Sequence, residues 1–209
     1  MKKTLVKNTL VALLSLVVLY AIFFFWLDKP IEIWMYHHAM GTRYDQISIW
    51  LGKIFKSVHW SIIAILAIFI GLSCHTSGRK KIGKNWLFLA FSIIIAQAIC
   101  FILKVLLARY RPIELFTHQL YGFHFLSTQY NLTSTPSGHA TSSFAALLAI
   151  GYIFKQTWLT ILLLAFATII AISRVIMAAH FPSDVILGAY IGVLTVVWLH
   201  ALFNRSTGA

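Results

Sequence analysis

The stretch Trp86–Leu107 reads WLFLAFSIIIAQAICFILKVLL, and its reading decides the fold. Apart from Ser92, Gln97 and Lys104 it is wholly apolar, and a membrane-crossing helix needs roughly 17 to 25 such residues. Hydrocarbon offers no partner for an unpaired N–H or C=O, so a run of this kind can only be helical. Outward from it the pattern recurs at Leu10–Leu27, Val58–Cys74, Gly138–Phe154, Trp158–Ile172 and Val185–Phe203. The fold class is therefore all-α: a polytopic bundle of six transmembrane helices forming a single membrane-embedded domain over residues 1–209. The basic start, Lys2, Lys3 and Lys7, raises a secretory signal as an alternative to a first helix. The run is long, ends in Phe23-Phe24-Phe25-Trp26 and lacks a small-residue cleavage pattern, so an uncleaved first helix is expected.

Composition agrees. Of 209 residues 60% are apolar and 11% charged, whereas a soluble domain carries about 25% charged residues. That excludes a soluble enzyme, a disordered chain and a disulfide-stapled scaffold. Cys74 and Cys100 both lie in apolar runs and read as small core residues. Seventeen Lys and Arg against five acids give a formal charge of +12. Nucleic acid is one reading of such a surplus. In a chain this apolar, the surplus instead marks one side of a membrane, so no nucleic-acid partner is expected. A cytoplasmic N-terminus puts Lys2, Lys3, Lys7, Arg79, Lys80, Lys81, Lys84, Lys155 and Arg205 inside, with all five acids outside. The segment 28–57 fits less well, since it carries Lys29, Arg43, Lys53 and Lys56 among Trp34, Tyr36, Tyr44 and Trp50. It is either an amphipathic helix at the interface or a connector packed over the bundle.

Helix parity brings three polar clusters to the outer side. The first is Lys104 with Arg111-Pro112: seven residues apart on a helix, the two cations share a face about 10 Å apart and can grip an anion. Snorkelling at a helix end is the alternative. The second is Thr135-Pro136-Ser137-Gly138-His139. Thr135 is a good cap and Pro136 suits a first helical position, so the amides of Ser137, Gly138 and His139 would point outward as an anion site. His139 stands beside them, able to exchange a proton near neutrality. The third is Ser173-Arg174 followed by His180 and Asp184. At a spacing of four around Pro182, Asp184 can accept a hydrogen bond from one imidazole nitrogen of His180 and leave the other free to attack. A helix-capping aspartate beside an unrelated histidine is the alternative. No Cys/His/Asp cluster suggests a metal. Two histidines, one carboxylate, three cations and a helix start suit phosphoryl transfer, which is mostly positioning and charge stabilisation.

Lys104-x6-Arg111-Pro112, Pro136-Ser137-Gly138-His139 and Ser173-Arg174-x5-His180-x3-Asp184 resemble the three signature motifs of the type 2 phosphatidic acid phosphatases, a superfamily that also contains vanadium haloperoxidases. The resemblance implies a lipid phosphatase in which His180 is the nucleophile forming a phosphohistidine. Asp184 would orient it and His139 would protonate the leaving oxygen. Lys104, Arg111 and Arg174, with Ser137 and the Gly138 amide, would hold the phosphate oxygens; Ser173 would only support them. It implies no cofactor and no metal. Thr135 departs from the aromatic residue that many relatives carry before Pro136, which bears on substrate fit. Candidate substrates are undecaprenyl diphosphate, phosphatidylglycerophosphate, phosphatidate and the lipid A 1-phosphate. Alternatives are a lipid phosphotransferase and a non-catalytic lipid-phosphate binding or transport protein; haloperoxidase activity is remote. The expected location is the inner (cytoplasmic) membrane, with both termini cytoplasmic and the active site facing the periplasm. The oligomeric state stays open.

Among the remaining polar residues, Arg109 is expected to bind phosphate or meet lipid head groups. His37 and His38 read as interfacial. Glu114, His118, Tyr121, His124 and Tyr130 fall in a structured connector, with head-group contact as the alternative. Gly188-x3-Gly192 reads as close helix packing, with a dimer face as the alternative.

Overall fold

The computed structural model describes residues 2–205; the side chains of Lys2 and Arg205, two of the cations assigned to the inner side, lie outside the described residues. The chain runs α1 (Lys2–Ile22), a π-helical turn (Phe23–Leu27), α2 (Asp28–His38), α3 (Arg43–Ile54), α4 (Ser57–Thr76), α5 (Lys80–Leu107), α6 (Pro112–His118), α7 (Gly138–Phe154), α8 (Thr157–Ile176) and α9 (Pro182–Arg205). Among the described residues there is no strand, only an isolated bridge between Arg109 and Phe123.

Five stretches are long and apolar enough to cross a membrane: Lys3–His38, Arg43–Thr76, Lys80–Leu107, Thr157–Ile176 and Pro182–Phe203. The shorter α7 is the sixth apolar helix. The protein is a multi-pass membrane protein. Bulky apolar side chains such as Leu10, Phe69, Phe101 and Ile161 stay exposed, as lipid-facing surfaces require.

α7 packs against α5, α8 and α9, and it is built for that. Ala140, Ala145, Ala146, Ala149 and Gly151 are buried along it, and small residues let neighbouring backbones approach. On α9, a Cβ at Gly188 would lie 2.6 Å from the Ser137 carbonyl and one at Gly192 would lie 2.7 Å from the Thr141 carbonyl. The Gly188-x3-Gly192 pair is thus the internal α7–α9 seam and not an outward face.

Two local readings need correction. The first helix does not stop at Leu27: the π-helical turn carries it into α2. The α2–α3 segment also packs on the bundle, α2 on α8 and α9 and α3 on α8, with Trp34, Tyr44 and Trp50 exposed on its outer side. Second, α5 ends at Leu107 with Ala108 left-handed, so Lys104 and Arg111 do not share a helix face. Arg111 is extended and precedes Pro112, the first residue of α6. The connector after α6 folds back along α5. The amides of Phe125, Leu126 and Ser127 donate to the carbonyls of Leu107, Leu106 and Val105, which a helix end leaves unpaired. His124, at the head of that return, and Tyr121 before it belong to an ordered structure.

Candidate active site

The site is assembled where α9 begins. Asp184, in the first turn of α9, is fully buried and accepts the Phe181 amide at 2.9 Å through Oδ2, the back-reaching half of a capping box. The same oxygen accepts the Ser134 hydroxyl at 2.5 Å, and Oδ1 accepts Arg109 Nη1 at 2.7 Å. Asp184 is therefore both the capping residue and the partner of His180, two readings the sequence set against each other. His180 is buried with Nδ1 turned to Asp184 Oδ2 at 3.8 Å, ion-pair range and longer than the hydrogen bond expected. The other imidazole nitrogen faces away from the carboxylate. Burial, then the charges of Arg111 and Lys104, pushes His180 well below the ordinary histidine value, outweighing Asp184.

The Pro136–His139 cluster joins the same place by a different geometry from the one expected. α7 starts at Gly138 with Ser137 as its cap residue, and the Ser137 amide donates to the Asp184 backbone carbonyl at 2.9 Å. That amide is not available to an anion. The amides of Gly138, His139 and Ala140 open the helix and have no carbonyl behind them within it. The Ser137 hydroxyl is buried and unpaired. Thr135, also buried, stands 3.4 Å from the Tyr20 hydroxyl of α1, which occupies space beside it.

The cations converge around this start. Lys104 Nζ donates to the Thr133 carbonyl at 2.6 Å, and Arg111 Nη2 reaches the same oxygen at 3.4 Å. The two therefore meet despite the helix break. Arg111 also donates to the Tyr130 and Ala179 carbonyls and lies 4.0 Å over the Tyr130 ring. Arg174 is buried with Nε and Nη1 unpaired. It lies on Gly52 of α3: a Cβ there would fall 1.7 Å from Nη1. The Gly52 carbonyl accepts His139 Nε2 at 3.0 Å, which fixes the His139 proton on that nitrogen. A Cβ at Gly138 would lie 2.9 Å from Ser57 Oγ and 3.9 Å from Lys104 Cε. All eight residues singled out from the motifs, His139, His180, Asp184, Lys104, Arg111, Arg174, Ser137 and Gly138, therefore lie in this one region.

Several neighbours escaped the sequence reading. Arg109 neither faces lipid nor is free to take a phosphate. It is fully buried and ion-paired to Asp184 and, through Nη2, to Asp28 at 2.8 Å. Burial works against its charge, but Asp184, Tyr20 and Asp28 outweigh burial and raise its pKa. Ser183 and Tyr121 complete its shell. A signal did exist at Asp28, since an acid closing an apolar run is costly unless it is paired. Gly52 and Ser57 carried none.

Fold and site together define a multi-pass membrane protein that gathers two histidines, a carboxylate and three cations at one end of its helix bundle. The family model for the PAP2 superfamily matches residues 85–207, and the chain belongs to that superfamily. It is 29% identical to a lipid A 1-phosphatase of Rhizobium johnstonii, over 70% of this chain and 66% of that one. It is 30% identical to an undecaprenyl-diphosphatase of Sulfolobus acidocaldarius, over 74% of this chain and 73% of that one. The chain thus spans about two thirds of the Rhizobium relative's length. The fold matches the crystal structure of a transmembrane PAP2 type phosphatidylglycerolphosphate phosphatase from Bacillus subtilis with a TM-score of 0.61. That match has 13% identity and covers 94% of this chain and 96% of the other.

Proposed function

We propose that this protein is an integral membrane phosphatase that hydrolyses a lipid-linked phosphate or diphosphate at the outer face of the cytoplasmic membrane. The observation that carries the reading is the convergence of His180, His139, Lys104, Arg111 and Arg174 on the start of α7. In the first step the His180 nitrogen remote from Asp184 attacks phosphorus, a P–N bond forms and the P–O bond to the lipid breaks. In its imidazolium form His139 gives a proton to the departing oxygen and is left neutral. Asp184 stabilises the charge that His180 acquires. In the second step water attacks the phosphohistidine, His139 takes the water's proton, and the P–N bond breaks to release phosphate. Lys104, Arg111, Arg174, the Ser137 hydroxyl and the Gly138 amide hold the phosphoryl oxygens, whose charge is the main burden of such a transition state.

The relatives act on a lipid A phosphate and on undecaprenyl diphosphate by name, which supports a lipid phosphate as the substrate class. The test is phosphate release from lipid A 1-phosphate, undecaprenyl diphosphate, phosphatidylglycerophosphate and phosphatidate by purified protein in detergent, with EDTA and with vanadate. Release that survives EDTA and is blocked by vanadate is expected. No release from any of the four lipids, or release abolished by EDTA, would refute the reading.

A further inference from the structure

Residues 1–84 lie outside the segment that matches the family model, yet they supply a carboxylate to the innermost part of the site. Asp28, the first residue of α2, is fully buried. Its Oδ2 accepts Arg109 Nη2 at 2.8 Å and the Ser183 hydroxyl, and its Oδ1 accepts the Ser183 amide at 3.0 Å. Arg109 Nη1 meanwhile holds Asp184 Oδ1 at 2.7 Å and Ser183 Oγ at 2.6 Å. Three rings wall the guanidinium from water: Phe181, Phe24 and Tyr121, with centroids 4.4, 4.8 and 5.1 Å from its central carbon. In such a dry setting charge is weakly screened, and how a cation is shared matters.

Resting on the phosphatase reading above, we infer that Asp28 is a positioning residue that tunes the partner of His180. It shares the Arg109 charge, so that Asp184 presents net negative charge to the imidazole. One cation between two carboxylates leaves the network one unit negative. Without Asp28, Arg109 would neutralise Asp184 alone, and the charge that His180 acquires on attack would lose its counterweight. Asp28 thereby couples α2 to the chemistry at α9. The same helix-to-site linkage recurs one element on, where Gly52 of α3 seats Arg174 and His139.

The test is Asp28→Asn, close in shape but uncharged, beside Asp28→Glu, which keeps the charge. Turnover is followed on a lipid phosphate that the wild-type protein hydrolyses. The charged or titratable groups around His180 and this network are Asp184 on α9, Lys104 on α5, Arg111 before α6, Arg109, Tyr20 on α1, Tyr121 and the buried Glu32 on α2, with Arg174 on α8 and His139 on α7 in the same region; none of them is altered. Asp28→Asn is expected to lower kcat about tenfold, or about 1.4 kcal/mol of transition-state stabilisation, at unchanged KM. The acid limb of kcat/KM should also move to lower pH, because removing a nearby negative charge makes His180 harder to protonate. Asp28→Glu should return the limb to its wild-type position. A merely structural role would lower yield and Tm and leave the limb where it was, which overturns the proposal, as does wild-type kcat in Asp28→Asn. If Asp28→Asn fails to fold, Asp28→Ser removes the same charge with a smaller side chain whose hydroxyl can still accept the Ser183 amide. A several-fold loss of kcat is then expected, and wild-type kcat overturns the coupling. A wild-type protein inactive on every lipid fails the phosphatase reading itself, a result distinct from any of these.

Discussion

Gly52→Ala adds one methyl group to α3 and alters none of the residues proposed to act on phosphate. The new Cβ would stand 1.7 Å from Arg174 Nη1, 2.8 Å from Cζ and 3.2 Å from Nη2. Ordinary contact begins at 3.4 Å, so Nη1 must retreat by about 1.7 Å (3.4 − 1.7). The guanidinium is the far end of a flexible side chain, so the clash is relieved by moving Arg174 and leaves α3 in place. A displacement of about 1 Å at a group that positions the reacting centre can cost about a hundredfold, so kcat/KM should fall by that order. Stability should move the other way. Alanine in a helix interior is favoured over glycine by about 0.5–1 kcal/mol, so Tm should hold or rise. The assay pairs phosphate release with thermal unfolding in the same detergent. Activity lost with Tm retained is the expected pair. Wild-type kcat/KM in Gly52→Ala would refute the placement of Arg174 over α3 and its part in holding phosphate.

Further outcomes follow from the same geometry. Gly192→Ala drives a methyl to 2.7 Å from the Thr141 carbonyl, a backbone atom that cannot swing aside, so Tm should fall by several degrees in a melt. The acid limb of kcat/KM should lie below the ordinary histidine value of about 6.5, because burial and the Arg111 and Lys104 charges depress His180 and keep it neutral, hence nucleophilic, into mild acid. A pH–rate profile checks this, and a limb above 6.5 contradicts it. Arg174→Ala should raise KM and lower kcat together, read from the same initial-rate assay, since its cation holds the phosphate in the ground state and more strongly as charge develops in the transition state.

Much of this was legible in the chain because a membrane leaves few options. Trp86–Leu107 could only be a helix, and the few polar residues within or beside such runs had to be paired or functional, as Lys104, His139, Arg174 and Asp184 illustrate. Spacing misled where the backbone left the helix. Lys104 and Arg111 meet through a left-handed Ala108 and a shared carbonyl, neither of which a count of seven encodes. The cap of α7 shifted from Thr135 to Ser137 because the Ser137 amide is taken by Asp184, a partner distant in sequence. Arg109 was illegible for the same reason, since its partner Asp28 comes from a different helix, and an unpaired arginine near a membrane surface reads as lipid-facing. Gly52 carries no chemistry in its side chain, and only the closeness of Arg174 gives it a role.

The central claim is that His180 carries the phosphoryl group. The direct measurement is a rapid quench of wild-type protein with a lipid labelled in its phosphate, followed by mapping of the label. A phosphoryl group that is acid-labile, stable to base and located on His180 is expected, with both label and turnover lost in His180→Ala. Turnover at the wild-type rate in His180→Ala, or label on any other residue, would contradict the account.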